Sequence, residues 1–142
     1  ESPSIQDRIR GFSAACAEHG LGHSGALIRL QAEDSPAAGR QLMQKVFKEL
    51  RGAPQAFLCS SLLVLEGALQ EIKAQTGRVA QDILIGTFDD HTMLELLPNR
   101  VLSVRQDEAG LAEKVFSRLT GLKAGARLER DIVPCTLVCR NL

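Results

Sequence analysis

The sequence has no tryptophan and no tyrosine, and only five phenylalanines. A surface that stacks nucleic-acid bases on aromatic rings is therefore poorly supplied. An excess of charge is missing too: 17 basic and 17 acidic side chains give a formal net charge of zero, which argues against bulk binding of a phosphate backbone. No apolar run approaches the ~18 residues that a membrane span requires, and no signal peptide is visible. The four cysteines, Cys16, Cys59, Cys135 and Cys139, contain no C-x-x-C pair, so a zinc site is not expected. Their scatter over apolar segments predicts buried free thiols in a reducing compartment. Gly20-Leu21-Gly22 lacks the preceding strand that a phosphate loop needs, and no G-x-S-x-G elbow occurs. His19 and His23 are separated by two glycines that break a helix, so they read as loop residues rather than a metal pair. No cofactor and no metal are expected.

What is present is the chemistry of one α/β domain. A chain of 142 residues, 44% apolar and 24% charged, is long enough to bury a sizeable core. Ser2-Pro3-Ser4 opens a helix whose buried face is Ile5, Ile9, Phe12 and Cys16, with Asp7, Arg8 and Arg10 off the stripe. Gly20 and Gly22 end it. Residues 26–30 read as a strand. Ser35-Pro36 repeats the cap-and-proline start, before the stripe Leu42, Met43, Val46, Phe47 and Leu50 and the break at Gly52-Ala53-Pro54. Residues 56–59 are a second strand. Ser60-Ser61 ends it and caps a helix running to Thr76, whose first turns (Leu62, Leu63, Val64, Leu65) are apolar all round and predict burial on every side. A strand ends near Phe88, a helical segment spans 92–97, and 101–104 is a further strand. Asp107 caps a last helix with Leu111, Ala112, Val115 and Leu119 on one face. Two short β-runs, 127–133 and 136–139, finish the chain. Strands alternating with helices imply right-handed crossovers onto a mostly parallel sheet, with helices on both faces.

The chain is organised around residues 81–91, where an apolar β-run closes on Gly86, Phe88, Asp89, Asp90 and His91. In an open α/β sheet, ligands sit beyond the carboxyl ends of the strands, and these side chains occupy that place. A solvated turn with an Asp helix cap reads the same residues equally simply. Adjacent residues at a strand end point to opposite faces, so only one of Asp89 and Asp90 faces a given ligand, which weakens a paired-carboxylate hydrolase and leaves no enzyme expected. Ser60 and Ser61 after the second strand and Gln106 after the fourth complete a polar rim. Hydroxyls, carboxylates and amides suit a polyhydroxylated ligand, and Arg8 or Arg140 would add an anion-binding charge.

Arg8-Ile9-Arg10-Gly11-Phe12 resembles the Arg-x-x-Gly-aromatic signature of the lactose-repressor family of bacterial transcription regulators. The segment from Phe57 to Ala68, Ile85-Gly86-Thr87-Phe88-Asp89-Asp90 and Val101-Leu102-Ser103-Val104-Arg105-Gln106 resemble later segments of that family, in the same order. Cys139-Arg140-Asn141-Leu142 is similar to the ending of its fructose-repressor branch. The resemblance implies the second lobe of a type I periplasmic-binding-protein-like effector domain. Residues 1–105 would form that lobe, 106–126 an excursion into the first lobe, and 127–142 the return, with the DNA-binding domain and most of the first lobe lying outside the chain. It implies effector contacts from Arg8, Ser60, Ser61, Asp89, Asp90, His91 and Arg140, with fructose 1-phosphate as the effector. It also implies a homodimer through Leu65, Glu66, Leu69, Met93, Leu96 and Leu97, and operator DNA bound only by the absent amino-terminal domain, in a cytoplasmic protein. Two rivals stand beside this reading. One is a periplasmic or transporter-linked sugar receptor of the same fold. The other is a small enzyme or phosphoacceptor domain using Asp89 or Asp90, which the position of this pair after a third strand opposes.

Overall fold

The computed structural model describes residues 3–21, 28–121 and 131–141. Its elements follow the order α1 (Pro3–Glu18), α2 (Pro36–Leu50), β1 (Ala56–Cys59), α3 (Leu62–Thr76), β2 (Leu84–Phe88), a 3-10 helix (Thr92–Leu96), β3 (Val101–Arg105), α4 (Glu108–Gly121) and β4 (Thr136–Arg140). The four strands lie in sequence order in one sheet; β1, β2 and β3 are parallel and β4 returns antiparallel to β3.

Local signals set the helix ends. The Ser35 hydroxyl accepts from the Ala38 N–H at 3.2 Å, with Pro36 opening α2. The Ser61 hydroxyl accepts from the Val64 N–H at 3.2 Å and starts α3. Gly77, at φ 79, ends α3 by donating its N–H to the Lys73 carbonyl at 2.8 Å; glycine takes that left-handed conformation without steric cost. Asp107 caps α4 through the Gly110 N–H at 2.9 Å.

Side chains alternate across the strands. Phe57, Cys59, Ile85, Thr87, Val101 and Ser103 line one face, and α3 packs on it with α2 behind. The core comprises Met43 of α2, Val64, Leu65, Ala68 and Ile72 of α3, and Cys59, Ile83, Ile85, Leu94 and Val101. The two helices touch closely because glycines face backbone: a Cβ on Gly39 would overlap the Val64 carbonyl, and one on Gly67 would overlap the Pro36 carbonyl. Glu71, buried in the same helix pair, accepts from Gln75 at 2.8 Å and Gln44 at 3.1 Å and faces Arg40 at 3.6 Å. These amides, chiefly Gln75, and Arg40 lower its carboxyl pKa against the opposing effect of desolvation. At the amino ends of the strands, Asn99 donates to the Ala80 and Ile83 carbonyls, and Asn141 donates to those of Leu97 and Asn99. Two amides thus tie three chain segments together.

Several expectations need correction. Ile28, Arg29 and Leu30 are not in a strand; a strand needs a paired neighbour, and Arg29 instead reaches Glu49 of α2. Residues 26 and 27 lie outside the described residues, as do Ser2, His23 and 127–130. Residues 131–133 are not a strand either, because Asp131 is drawn to Arg118 and Lys114 of α4. The helical segment expected after His91 is present, as a 3-10 helix over Thr92–Leu96. Leu63 is exposed, so α3 is not buried on every side: α2 and the sheet cover only its inner faces. Cys16 and Cys59 are buried, but Cys135 and Cys139 are exposed, since Cys139 pairs with Leu102 on the sheet face opposite α3. No described helix is long and apolar enough to cross a membrane.

Candidate functional site

The carboxyl ends of β1, β2 and β3 bring the chemistry-bearing residues to one rim, in two clusters. The first is built on Arg8. Its guanidinium lies 4.4 Å from the centre of the Phe88 ring, and its Nη1 donates to the Ser60 carbonyl at 2.6 Å. A ring face attracts a cation, and the carbonyl fixes the fork. Arg8 is half-buried, so part of its donor set stays open.

The second cluster is built on Asp90. Asp89 adopts φ 68, a left-handed conformation that Asp tolerates better than most residues, and the chain turns there. The Asp90 carboxylate, 6% exposed, accepts from Ser103 Oγ at 2.5 Å, from Arg140 Nη1 at 2.8 Å, and from Arg105 Nε and Nη2 at 2.8 and 2.7 Å. Burial pushes its pKa up, but the hydrogen bonds from Arg140, Ser103 and Arg105 outweigh it and hold the carboxyl well below the usual carboxylate range. Arg140 starts level with Val101 at the amino end of β3 and reaches along the sheet face; its side chain is 11% exposed, and it also donates to Ser103 Oγ at 2.8 Å. Asp90 and Arg140 therefore satisfy one another, while Asp89 takes a 2.6 Å hydrogen bond from the Gln106 amide.

The remaining residues divide by environment. Ser60 contributes its carbonyl to Arg8. Ser61 is 7% exposed, and its hydroxyl both caps α3 and donates to Asp34, so it organises the loop above α2. His91 is exposed and turned to its own chain, its Nδ1 accepting from the Met93 N–H at 3.0 Å; it, rather than an Asp, caps the helical segment. Leu65 is 2% exposed and belongs to the core, so it is removed from any outer surface. Leu69 and Leu97 pack partly against the same core. Glu66 is exposed and bonded to Gln70. Met93 and Leu96 are exposed, Leu96 at 84%. No hydrogen bond or ion pair joins the Arg8 and Asp90 clusters among the described residues.

Sequence reasoning missed Phe88 as the seat of Arg8, and Ser103 and Arg105 as partners of Asp90. A polar residue at an inward strand position was the available signal for Ser103, because buried hydroxyls require partners. Among the described residues, no group of three or more His, Cys, Asp or Glu side chains is arranged to hold a metal.

A family described as "Periplasmic binding protein-like domain" matches residues 1–141. The chain is 28% identical over 146 residues to the sucrose operon repressor of Klebsiella pneumoniae, covering 99% of this chain and 42% of that protein. It is 35% identical over 79 residues to the catabolite repressor/activator of Salmonella typhimurium, covering 56% of this chain and 23% of that protein. The chain thus spans less than half the length of these relatives. Among solved structures it resembles the Cra transcriptional dual regulator of Pseudomonas putida in complex with fructose 1-phosphate, with TM-score 0.51, 26% identity, and coverage of 61% of this chain and 33% of that one. The fold alone is shared with an Escherichia coli sugar-binding transcriptional regulator of the LacI family complexed with phosphate, with TM-score 0.68, 21% identity, and coverage of 97% and 49%. With the whole described sheet inside the matched region, and transcriptional regulators as its relatives, this chain belongs to the periplasmic binding protein-like domain family.

Proposed function

We propose that the chain is the second lobe of the effector domain of a sugar-responsive transcriptional regulator, and that its effector is a phosphosugar, fructose 1-phosphate. The observation that carries this reading is the seating of Arg8 between the Phe88 ring and the Ser60 carbonyl, at the carboxyl ends of β1 and β2. A guanidinium held there by a ring and a carbonyl keeps outward N–H groups for phosphate or sugar oxygens. Asp89, next along the rim, supplies acceptor oxygens for hydroxyls. The buried Asp90–Arg140 pair acts beneath them as a rigid floor, and Ser61 and His91 shape the loops around the rim. A regulator of the Cra type with fructose 1-phosphate bound is a structural relative, which supports the choice of effector class.

In this reading residues 106–126 enter the first lobe, the chain returns at 127, and DNA is bound by a separate amino-terminal domain. Closure of the two lobes on the effector then biases the DNA-binding form, because a ligand shifts a two-state equilibrium by its differential affinity for the states. The exposed Met93 and Leu96, together with Glu66, Leu69 and Leu97, form the surface through which two copies pair.

The test is calorimetric titration of fructose 1-phosphate, fructose and inorganic phosphate into the full-length regulator. Saturable heat with fructose 1-phosphate, exceeding that of either component, supports the reading. Heat with fructose alone makes the site an unphosphorylated-sugar sensor, and no heat with any of the three removes the phosphosugar assignment.

A further inference from the structure

His91 holds the entry of the segment that leads from the rim to the exposed Met93 and Leu96. Its backbone is extended, and its Nδ1 accepts from the Met93 N–H at 3.0 Å. The His91 carbonyl accepts from the Leu94 N–H, also at 3.0 Å. At the exit, Leu97 donates to the Leu94 carbonyl at 3.3 Å, and its own carbonyl accepts from Asn141 at 3.0 Å. Leu94, 1% exposed, pins the middle to the core. A 3-10 helix this short has few bonds of its own, so the ring carries much of the hold on Thr92 and Met93. An imidazole accepts a hydrogen bond only through an unprotonated nitrogen; the imidazolium has two donors and no acceptor. Protonation therefore deletes this cap and sets one N–H against another. The charged groups around the corner are already committed. Asp90 is held by Arg105, Arg140 and Ser103, and Asp89 by Gln106. Arg8 of α1 sits on Phe88 and Ser60, and Glu66 of α3 is bonded to Gln70. Glu95 lies on the segment itself. Among the described residues none of these side chains bonds the imidazole, which is exposed.

We propose that His91 is a proton-operated cap: it orders Thr92 and Met93 when the ring is neutral, releases them when the ring is charged, and so weakens the pairing of two copies in mild acid. The cap stands on the Met93 hydrogen bond alone. Its effect on pairing rests on the reading of Met93 and Leu96 as part of the dimer surface. Release is local, because Leu94 stays in the core and Asn141 keeps the exit.

Nuclear magnetic resonance of the full-length protein from about pH 8 to about pH 5, the range in which histidine changes charge, tests the cap. In wild type the Met93 amide signal is expected to move with the titrating His91 ring while the Leu97 amide stays. In His91→Asn both are expected to stay, because Asn caps well and does not titrate. The dimer dissociation constant, read by analytical ultracentrifugation, is expected to rise about fivefold more in wild type than in His91→Asn over the same range, the worth of one cap. That comparison also subtracts the other two histidines, His19 and His23. His91→Ala has no cap at any pH and is expected to match acidic wild type even at the upper end of the range; it keeps the test open if the Asn variant does not fold. A Met93 amide that stays put while the ring titrates overturns the cap. A moving Met93 amide, with equal pH dependence of dimerisation in wild type and His91→Asn, overturns the effect on pairing. A protein that is monomeric throughout removes the dimer reading, and the Met93 amide alone then decides the cap.

Discussion

Arg140 Nη1 lies 2.8 Å from Asp90 Oδ1, and the two side chains, 50 positions apart in sequence, are both nearly shielded from solvent. Ser103 Oγ bridges them, donating to the carboxylate and accepting from the guanidinium. Removing either charge strands the other, which is the costly way to disturb a buried pair.

Asp90→Asn should therefore destabilise the fold by about 3 kcal/mol at neutral pH, read from urea unfolding. The pH dependence has a definite sign. Asp90 titrates lower in the folded than in the unfolded chain, so its contribution is complete above the unfolded value and lost as pH falls through the folded one. The gap between wild type and variant should hold down to about pH 5 and shrink steadily below about pH 4. A gap that widened in acid would remove Asp90 as the stabilising carboxylate.

Arg8→Ala should weaken fructose 1-phosphate binding by about ten- to a hundredfold, the range for charge-assisted hydrogen bonds. Arg8→Lys should recover little, because a point charge reproduces neither the fork on the Ser60 carbonyl nor the stacking on Phe88. Wild-type affinity in Arg8→Ala, measured by calorimetry, would move the effector elsewhere.

Gly67→Ala adds one methyl group where α3 meets the Pro36 carbonyl and the Arg40 amide nitrogen. Both obstacles are backbone and cannot swing away, so a loss of about 1–3 kcal/mol is expected. Thermal unfolding reads it directly, and a neutral result would mean that the two helices separate at little cost.

Thiol chemistry separates the cysteines. Burial pushes the Cys59 thiol up to about 12, and Cys16 is equally shielded, whereas Cys135 and Cys139 are exposed. The thiolate is the reactive form, so titration of this segment with a thiol reagent should give two fast equivalents in the native protein and four after unfolding. Four fast equivalents would contradict the packing of α1 and β1.

Much of the fold was legible because its signals are local. Ser35-Pro36, Ser61, Gly77 and Asp107 mark helix ends through bonds within a few residues. The strands that carry β-branched residues were found nearly to their ends. Residues 28–30 were misread because strand propensity is realised only through pairing, which a short apolar run does not encode. At the site, the family resemblance located the rim but not the division of labour. The resemblance implies Asp90, Arg140 and Ser61 as effector contacts by their positions in the motifs; in the fold each side chain is largely shielded and committed to another side chain. That commitment spans 27 to 50 positions of sequence and has no local trace. His91 was read as a ligand while the Asp residues were weighed as caps; the structure gives the cap to the imidazole.

The antiparallel return of β4 carries a consequence for how the protein is made. The floor beneath the rim needs Arg140, which arrives only when Thr136–Arg140 docks beside β3. During synthesis, β1, β2 and β3 emerge and pair in order while Asp90 waits for its principal cation. Long-range pairings form late because loop closure must precede their reward. A chain stalled before residue 136 would carry Arg8, Phe88 and Asp89 with no anchored corner beneath them, so the rim takes its final form only once Thr136–Arg140 has joined the sheet.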